Sequence, residues 1–448
     1  MGWTKALWAF LAFGTCLTHL STAQVAGSTS PSFFAGRGRM MGGCCDLSLP
    51  ALSVLLSASQ VGFDRSAMNM LPHSLQKRAT RFLVSVLGAG LCVGSSLPSQ
   101  AQAPGDAEAP PISPAVKQSV DRAVAWLLQQ QRAQGCYLDE NRGDAVPQHS
   151  GAITSLVIMA LSSVGHMPTD PTPEGRSLNR ALRFMVDNVV PTDTGYLGQA
   201  DRSRMYGHGI MSLMYAEMVG QTLDDEMDKK IRSRLQRAVD VIMRSQDVVK
   251  SEANRGGWRY EPGSSDSDIS VSVWQVMSLR AAKNAGLDVP KEAIDKAVEY
   301  IKRSYRSDRN PDGTPKNMEA AFSYEPYGGR QTFSTTAAGI LSLQVCGEYE
   351  APEVIGGANF LMKNPPAPSE AWFFYGTYYY AQGMYQRGGE QAAVARQKTE
   401  QMLLELQQPN GSWQPRNGNE RSAGPVYATA LALLSLSVHH HFLPIYQK

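Results

Sequence analysis

The sequence predicts an all-helical protein in which residues 115–448 form a single α/α toroid, six inner helices ringed by six outer ones. Three observations predict it. A helix-forming phrase recurs as Arg122-Ala123-x-x-Trp126-Leu127, Arg180-Ala181-x-x-Phe184-Met185, Arg237-Ala238-x-x-Val241-Ile242 and Lys296-Ala297-x-x-Tyr300-Ile301, at intervals of 57 to 59 residues. A period that long, with two helical segments in each repeat, is the signature of stacked helix pairs. Within each pair one segment is amphipathic and the other apolar nearly all round, so the second must be buried on nearly all sides. Neither end of the array carries the polar capping repeat that an open solenoid needs, which favours a closed ring.

The elements follow in order. After a proline-rich linker, residues 102–114, the first outer helix presents Val120, Val124, Leu127 and Leu128 on one face. A weaker copy of the phrase, Gly356-Gly357-x-x-Phe360-Leu361, marks the fifth outer helix, and Glu400 to Leu406 opens a shorter last unit. The inner helices are expected over Ser150 to Val164, Gly207 to Val219, Ser270 to Ala282, Phe333 to Cys346, Trp372 to Tyr385 and Pro425 to Val438. Connections leading out of inner helices are mostly short. Those leading into them are long, as at Asp247 to Asp268 and Ser304 to Gln331. Long loops on one face of a rigid scaffold are where sites gather, so the N-terminal ends of the inner helices are the expected functional face.

With 448 residues, 43% hydrophobic and 18% charged, the chain has material for a large core. A net charge of +2, with its basic residues scattered, excludes nucleic acid as an expected partner. Lys77, Arg78 and Arg81 precede an apolar run from Phe82 to Leu97, and Ser99 and Ala101 then form a small-residue cleavage pair. That pattern predicts export to the periplasm or outside, with cleavage after Ala101. A second signal-like run, Ala6 to Leu17 behind Lys5, is redundant with it, so residues 1–67 read as an over-long start ahead of Met68 or Met70. Neither run is long enough for a permanent transmembrane anchor. Only Cys136 and Cys346 lie beyond the signal, too few for a disulfide scaffold, and they belong to opposite ends of the barrel.

The residues Arg122 to Gln131 (Arg-Ala-Val-Ala-Trp-Leu-Leu-Gln-Gln-Gln), with Gly135-Cys136-Tyr137 after them, resemble the QW motif of squalene and oxidosqualene cyclases. Gln408-Pro409-Asn410-Gly411-Ser412-Trp413 resembles its end, and Gly257-Trp258 and Gly195-Tyr196 are similar turns. The resemblance covers most of residues 115–440 and implies the toroid of the terpenoid cyclase and prenyltransferase superfamily, the motif being a structural tie. Those cyclases carry two barrels and an Asp-x-Asp-Asp acid at an inner-helix start. Here one barrel is expected and the stretch reads Asp266-Ser267-Asp268-Ile269, so Asp266 and Asp268 are the candidate acid pair, with Asp268 as a helix cap the plainer reading. The chain is similar also to protein prenyltransferase β subunits, in which the His of a His-Gly-Gly contacts a diphosphate; His208-Gly209 matches it, but no Asp-x-Cys follows, so no zinc and no other cofactor is expected. Cys346-Gly347-Glu348-Tyr349 resembles the thioester motif of complement-like proteins, with Tyr349 replacing the glutamine that the thioester requires.

Two further sets of residues are candidates. Trp258-Arg259-Tyr260-Glu261-Pro262 and Phe322-Ser323-Tyr324-Glu325-Pro326 share a phrase before successive inner helices, which offers Glu261 and Glu325 as a carboxylate pair beside Arg259, Tyr260 and Tyr324. His149 and His208 begin adjacent inner helices; His439, His440 and His441 read as a solvated tail. Aromatic residues crowd the inner helices, with Tyr206, Trp274, Trp372, Tyr375, Tyr378 and Tyr427 the candidate ligand contacts. Three functions are therefore expected to compete: a lipid or polyprenoid held in the barrel without catalysis or turned over through Asp266 and Asp268; a carbohydrate-active site on the long-loop face; and a binding protein whose long-loop face takes a protein partner. A wholly apolar throat favours the first, and convergent charges favour the second.

Overall fold

The structure, a computed structural model, describes residues 112–138, 148–222, 224–440 and 443–446, all within a compact unit spanning residues 100–448. The expected export signal and the 102–111 part of the linker lie outside the described residues. Among the described residues are twelve α-helices: α1 (Pro114–Gln130), α2 (Ser150–Ser163), α3 (Pro173–Asp187), α4 (Arg204–Met218), α5 (Asp225–Gln246), α6 (Ile269–Asn284), α7 (Lys291–Arg303), α8 (Phe333–Val345), α9 (Pro352–Lys363), α10 (Phe373–Arg387), α11 (Gly389–Leu406) and α12 (Gly424–Leu436). None is long and apolar enough to cross a membrane.

The helix starts are written in the sequence. Ser113 and Thr172 each accept a backbone N–H in the first turn of α1 and α3, with proline at the first helical position, where its missing N–H costs nothing. Asp224 caps α5, whose first turn is acidic, and Thr332 and Thr335 close a capping box on α8. The odd-numbered helices bury one stripe, such as Met227, Ile231, Leu235 and Ala238 of α5. Every residue of α2 and of α8 is buried. That difference is the apolar composition of the inner segments expressed as burial.

The even-numbered helices pack in sequence, α2 on α4, α4 on α6, and so on to α12, and α12 packs back on α2. The outer helix α11 meets α1 across the same seam. The ring is therefore closed, and the chain is a single α/α toroid. A glutamine at the end of an outer helix stitches neighbours together. Gln131 Nε2 donates to the Gly135 and Ser177 carbonyls at 2.9 and 2.8 Å, and Gln246 Nε2 to those of Gly256 and Ala293 at 3.0 and 2.9 Å. Gln407 repeats the stitch across the seam, to Gly411 and to Ser119 of α1, both at 2.9 Å.

Three features differ from expectation. The last outer helix begins at Gly389, well ahead of Glu400, because its buried stripe of Ala395, Thr399 and Leu403 is narrow enough to be hidden in a polar sequence. The 304–331 loop holds an antiparallel hairpin, β1 (Ser323–Glu325) and β2 (Gly328–Gln331), joined through Pro326 and Tyr327. His439 belongs to a short 3-10 turn and packs edge-on against Tyr385, with ring centroids 5.0 Å apart, so it is no solvated tail. Leu443 and Ile445 are buried beyond it, and the Ile445 N–H meets Glu217 at 3.3 Å. Cys136 and Cys346 are free thiols.

Candidate functional site

Three inner helices, α4, α6 and α10, and the two longest loops meet around Arg259. The loop before α6 turns back through Trp258, whose indole N–H donates to the Ile242 carbonyl at 2.8 Å and is fully buried, so the next residue is fixed at the barrel mouth. The Arg259 Nη1 donates to Glu325 Oε1 at 2.7 Å, and its Nε lies 3.4 Å from Asp266 Oδ2 and 3.4 Å from Asp268 Oδ2. Its guanidinium rests 4.9 Å from the centroid of the Tyr260 ring and 5.4 Å from that of Tyr324. The Tyr260 and Tyr324 hydroxyls are hydrogen-bonded to each other. One arginine thus gathers three carboxylates between two aromatic faces, contacts that reinforce one another in a partly desolvated mouth.

Asp268 is fully buried and caps α6: its Oδ1 accepts from the Val271 N–H at 2.9 Å and from the Ser270 hydroxyl at 2.6 Å. Burial raises its carboxyl above the usual range, opposed by those two donors and by Arg259. Ser270 links it onward, since its hydroxyl meets Tyr206 Oη and its carbonyl accepts from the Tyr375 hydroxyl at 2.9 Å. Below this rim the barrel is filled. Trp274 stacks on Tyr378 with centroids 5.9 Å apart at 14°, and meets Tyr379 at 5.7 Å; all three are buried. Asp268 Oδ2 has Arg259 as its charged neighbour, whereas the Trp274 Nε1 and the Tyr379 hydroxyl are buried without a hydrogen-bond partner, and such groups call for a polar neighbour.

The sequence candidates divide on this geometry. Tyr206, Arg259, Tyr260, Asp266, Asp268, Tyr324, Glu325 and Tyr375 meet at the rim, with Trp274 and Tyr378 beneath. Trp372 and Tyr427 flank Tyr375, the former with its ring centroid 6.3 Å away and the latter through Glu420. Glu261 and Glu325 do not pair. Glu261 instead faces Arg204, 3.3 Å from its Nε, while Arg259 takes Glu325. His149 begins α2 with φ 62° and no capping bond, on a helix that contributes nothing to the Arg259 cluster.

His208 does not join the site. It is fully buried, its Nδ1 accepts from the Leu197 N–H at 3.2 Å, and its Nε2–H donates to the Ala238 carbonyl at 3.1 Å. Equivalent turns in other repeats are held by hydroxyls 14 to 17 residues along: Tyr137 N–H to Thr154, Trp258 to Ser272, Phe322 to Thr336 and Trp413 to Thr429, at 3.0 to 3.2 Å. The imidazole is thus a fifth inner-turn fastener beside four Ser and Thr hydroxyls, and burial lowers it to about 4, so it stays neutral.

Sequence reasoning missed Glu420. It is buried, accepts the N–H groups of Phe374 and Tyr375 at 3.2 and 2.9 Å, and is pushed up to about 7 by burial. Its signal was positional: Asp201, also just before an inner helix, accepts the Ala152 N–H of the preceding inner helix at 3.0 Å. Among the described residues no group of three His, Cys, Asp or Glu side chains is arranged to hold a metal ion.

No family model and no curated protein matches the chain. Solved structures do. It is similar to the type II terpene cyclase MstE from Scytonema, at 16% identity over 73% of this chain and 99% of that one, with a TM-score of 0.46. An α-1,6-mannanase of a Salegentibacter species is similar at 10% identity over 72% and 99%, TM-score 0.49. A glycosidase is similar at 12% identity over 74% and 98%, TM-score 0.46. At these values the likeness is one of fold.

Proposed function

We propose that the long-loop mouth of the barrel binds a carbohydrate through Arg259, Asp266, Asp268, Glu325 and the rim tyrosines. The observation that carries this reading is the cluster on Arg259: one guanidinium, three carboxylates and two tyrosine rings converge at the mouth, above a buried indole N–H and a buried hydroxyl without hydrogen-bond partners. Such a surface offers donors and acceptors in alternation with flat apolar faces, the two things a sugar ring presents in return. A wholly apolar chain would have to strip water from the part-exposed carboxylates Asp266 and Glu325 without replacing it, which is unfavourable. It would also have to displace the Trp274, Tyr378 and Tyr379 rings from the barrel centre.

One observation favours a second reading, a polyprenoid ligand or terpenoid-cyclase chemistry. Asp268 is a buried carboxyl held toward its protonated form, with Trp274, Tyr206 and Tyr375 close by, and aromatic faces stabilise cations. Arg259 against that carboxylate works the other way, by favouring ionisation.

Calorimetric titration of the purified protein with neutral oligosaccharides and, separately, with a geranylgeranyl compound distinguishes the two. The carbohydrate reading expects oligosaccharide binding, weakened about tenfold by Asp266→Asn and by Arg259→Lys, which keeps a charge beside Asp268 but loses the planar fork. Stoichiometric binding of the isoprenoid alone, abolished by Trp274→Ala, would sink it in favour of the second reading.

A further inference from the structure

A cavity of about 940 Å³ lies beside the mouth, between the end of α7, the 304–331 loop and the start of α9. Its wall includes Tyr327, at the tip of the β1–β2 hairpin. Tyr327 is 68% exposed and has φ 61°. In the two-residue Pro326-Tyr327 connection this is the left-handed position that a proline-initiated turn ordinarily gives to glycine. A bulky residue held there against backbone preference, with its ring in solvent, is an outlier that folding does not explain.

The charges of the cavity balance, with four basic and four acidic side chains in its lining. Several are already committed, Arg309 to Glu353 and Lys302 to Glu348. Arg303 Nε is buried in that wall without a hydrogen-bond partner. The cavity neighbours the mouth along the chain: Tyr324 and Glu325 belong to the Arg259 cluster, and Tyr327, in the cavity wall, follows Glu325 by two residues, at most about 7 Å of chain.

Resting on the carbohydrate reading of the mouth, we infer that this cavity is a second subsite, in which a neutral glycan chain leaving the mouth stacks on Tyr327. The ligand is then an oligosaccharide or polysaccharide rather than a single sugar. A sugar face supplies the C–H surface that a free aromatic ring takes, and its hydroxyls suit a lining with both donors and acceptors and no net charge.

The test is chain-length dependence in the variant Tyr327→Gly. Glycine relaxes the left-handed turn, so the variant is expected to melt no lower than the parent protein. The probes are gluco- and manno-oligosaccharide ladders and a polyuronate ladder, each from dimers to octamers. Parent protein should bind hexamers to octamers more tightly than dimers, and the variant should lose that gain, about tenfold, with dimer affinity unchanged. Equal affinity for short and long chains in the parent, or a loss in the variant shared by both lengths, overturns the subsite and leaves the mouth reading intact. Preference for the polyuronate overturns the neutral-chain assignment. Failure of every ladder to bind overturns the mouth reading itself and the subsite with it.

Discussion

His208 and Glu217 set the pH response of the fold in opposite directions. Burial lowers His208 from its ordinary 6.5 to about 4, so as pH falls through that window the unfolded chain takes up a proton that the folded one refuses, and stability is lost toward acid. Burial raises Glu217 from 4.5 to about 8, so the unfolded chain ionises first and stability is lost as pH climbs through that range. Between 4.5 and 6.5 the two slopes, each up to about 1.4 kcal/mol per pH unit, oppose each other, and Glu420, raised by burial to about 7, adds to the alkaline loss up to that value. Urea unfolding is expected to show decline on both sides of that interval. Glu217→Gln should lessen the decline from pH 6.5 to 7, where Glu420 still contributes, and remove it from 7 to 8, and His208→Ala should cost about 2–3 kcal/mol at neutral pH by leaving the Leu197 N–H without its acceptor. Retention of the alkaline decline in Glu217→Gln would refute the assignment. Neither role was legible in the sequence, because a histidine before a glycine at a helix start looks the same whether it faces a ligand or a backbone N–H. Only alignment with Thr154, Ser272, Thr336 and Thr429 in the other repeats separates them. Asp268 was legible as a cap, whereas its ties to Ser270 and Arg259 depend on loops whose path no periodicity encodes.

At the level of elements, the turn after four of the outer helices, α1, α3, α5 and α11, is pressed against the next outer helix around the ring. Gly256, at φ 88°, has space for no side chain: a Cβ there would lie 2.1 Å from the Lys296 carbonyl oxygen of α7. Gly256→Ala should therefore cost at least about 2 kcal/mol, from left-handed strain and from separation of α5 and α7. Chemical denaturation measures it, and a loss below about 0.5 kcal/mol, the scale of ordinary surface changes, would mean that the turn is not clamped. These pairs and turns were readable because the same phrase recurs with the same spacing and the same glycine. The β1–β2 hairpin was not: it is short, occurs in one repeat only, and its strands lack the alternation that marks a buried sheet face.

At the scale of the molecule, the Gln407 stitch decides whether the array is one cooperative body. Gln407 Nε2 bonds the Ser119 carbonyl, and Arg122 of α1 bonds Gln407 Oε1, so the last repeat holds the first as Gln131 and Gln246 hold the repeats that follow theirs. Gln407→Ala should destabilise the fold by about 1–3 kcal/mol and speed amide exchange first in α1 and α11, the helices either side of the seam. Uniform acceleration around the ring would show that the seam is no weaker than other joints. Ring closure was legible from the absence of capping repeats; the seam hydrogen bonds were not, being set by residues 288 positions apart in the chain.

Closure has a consequence for descent. An open array of helix pairs can be lengthened by duplicating one pair, because each new unit meets only two neighbours. Here α12 already rests on α2, and a seventh pair would find no place without prising apart every inner contact around the axis. Length is added more readily to the loops at the rim, and the 304–331 excursion beside Arg259 is the longest of these.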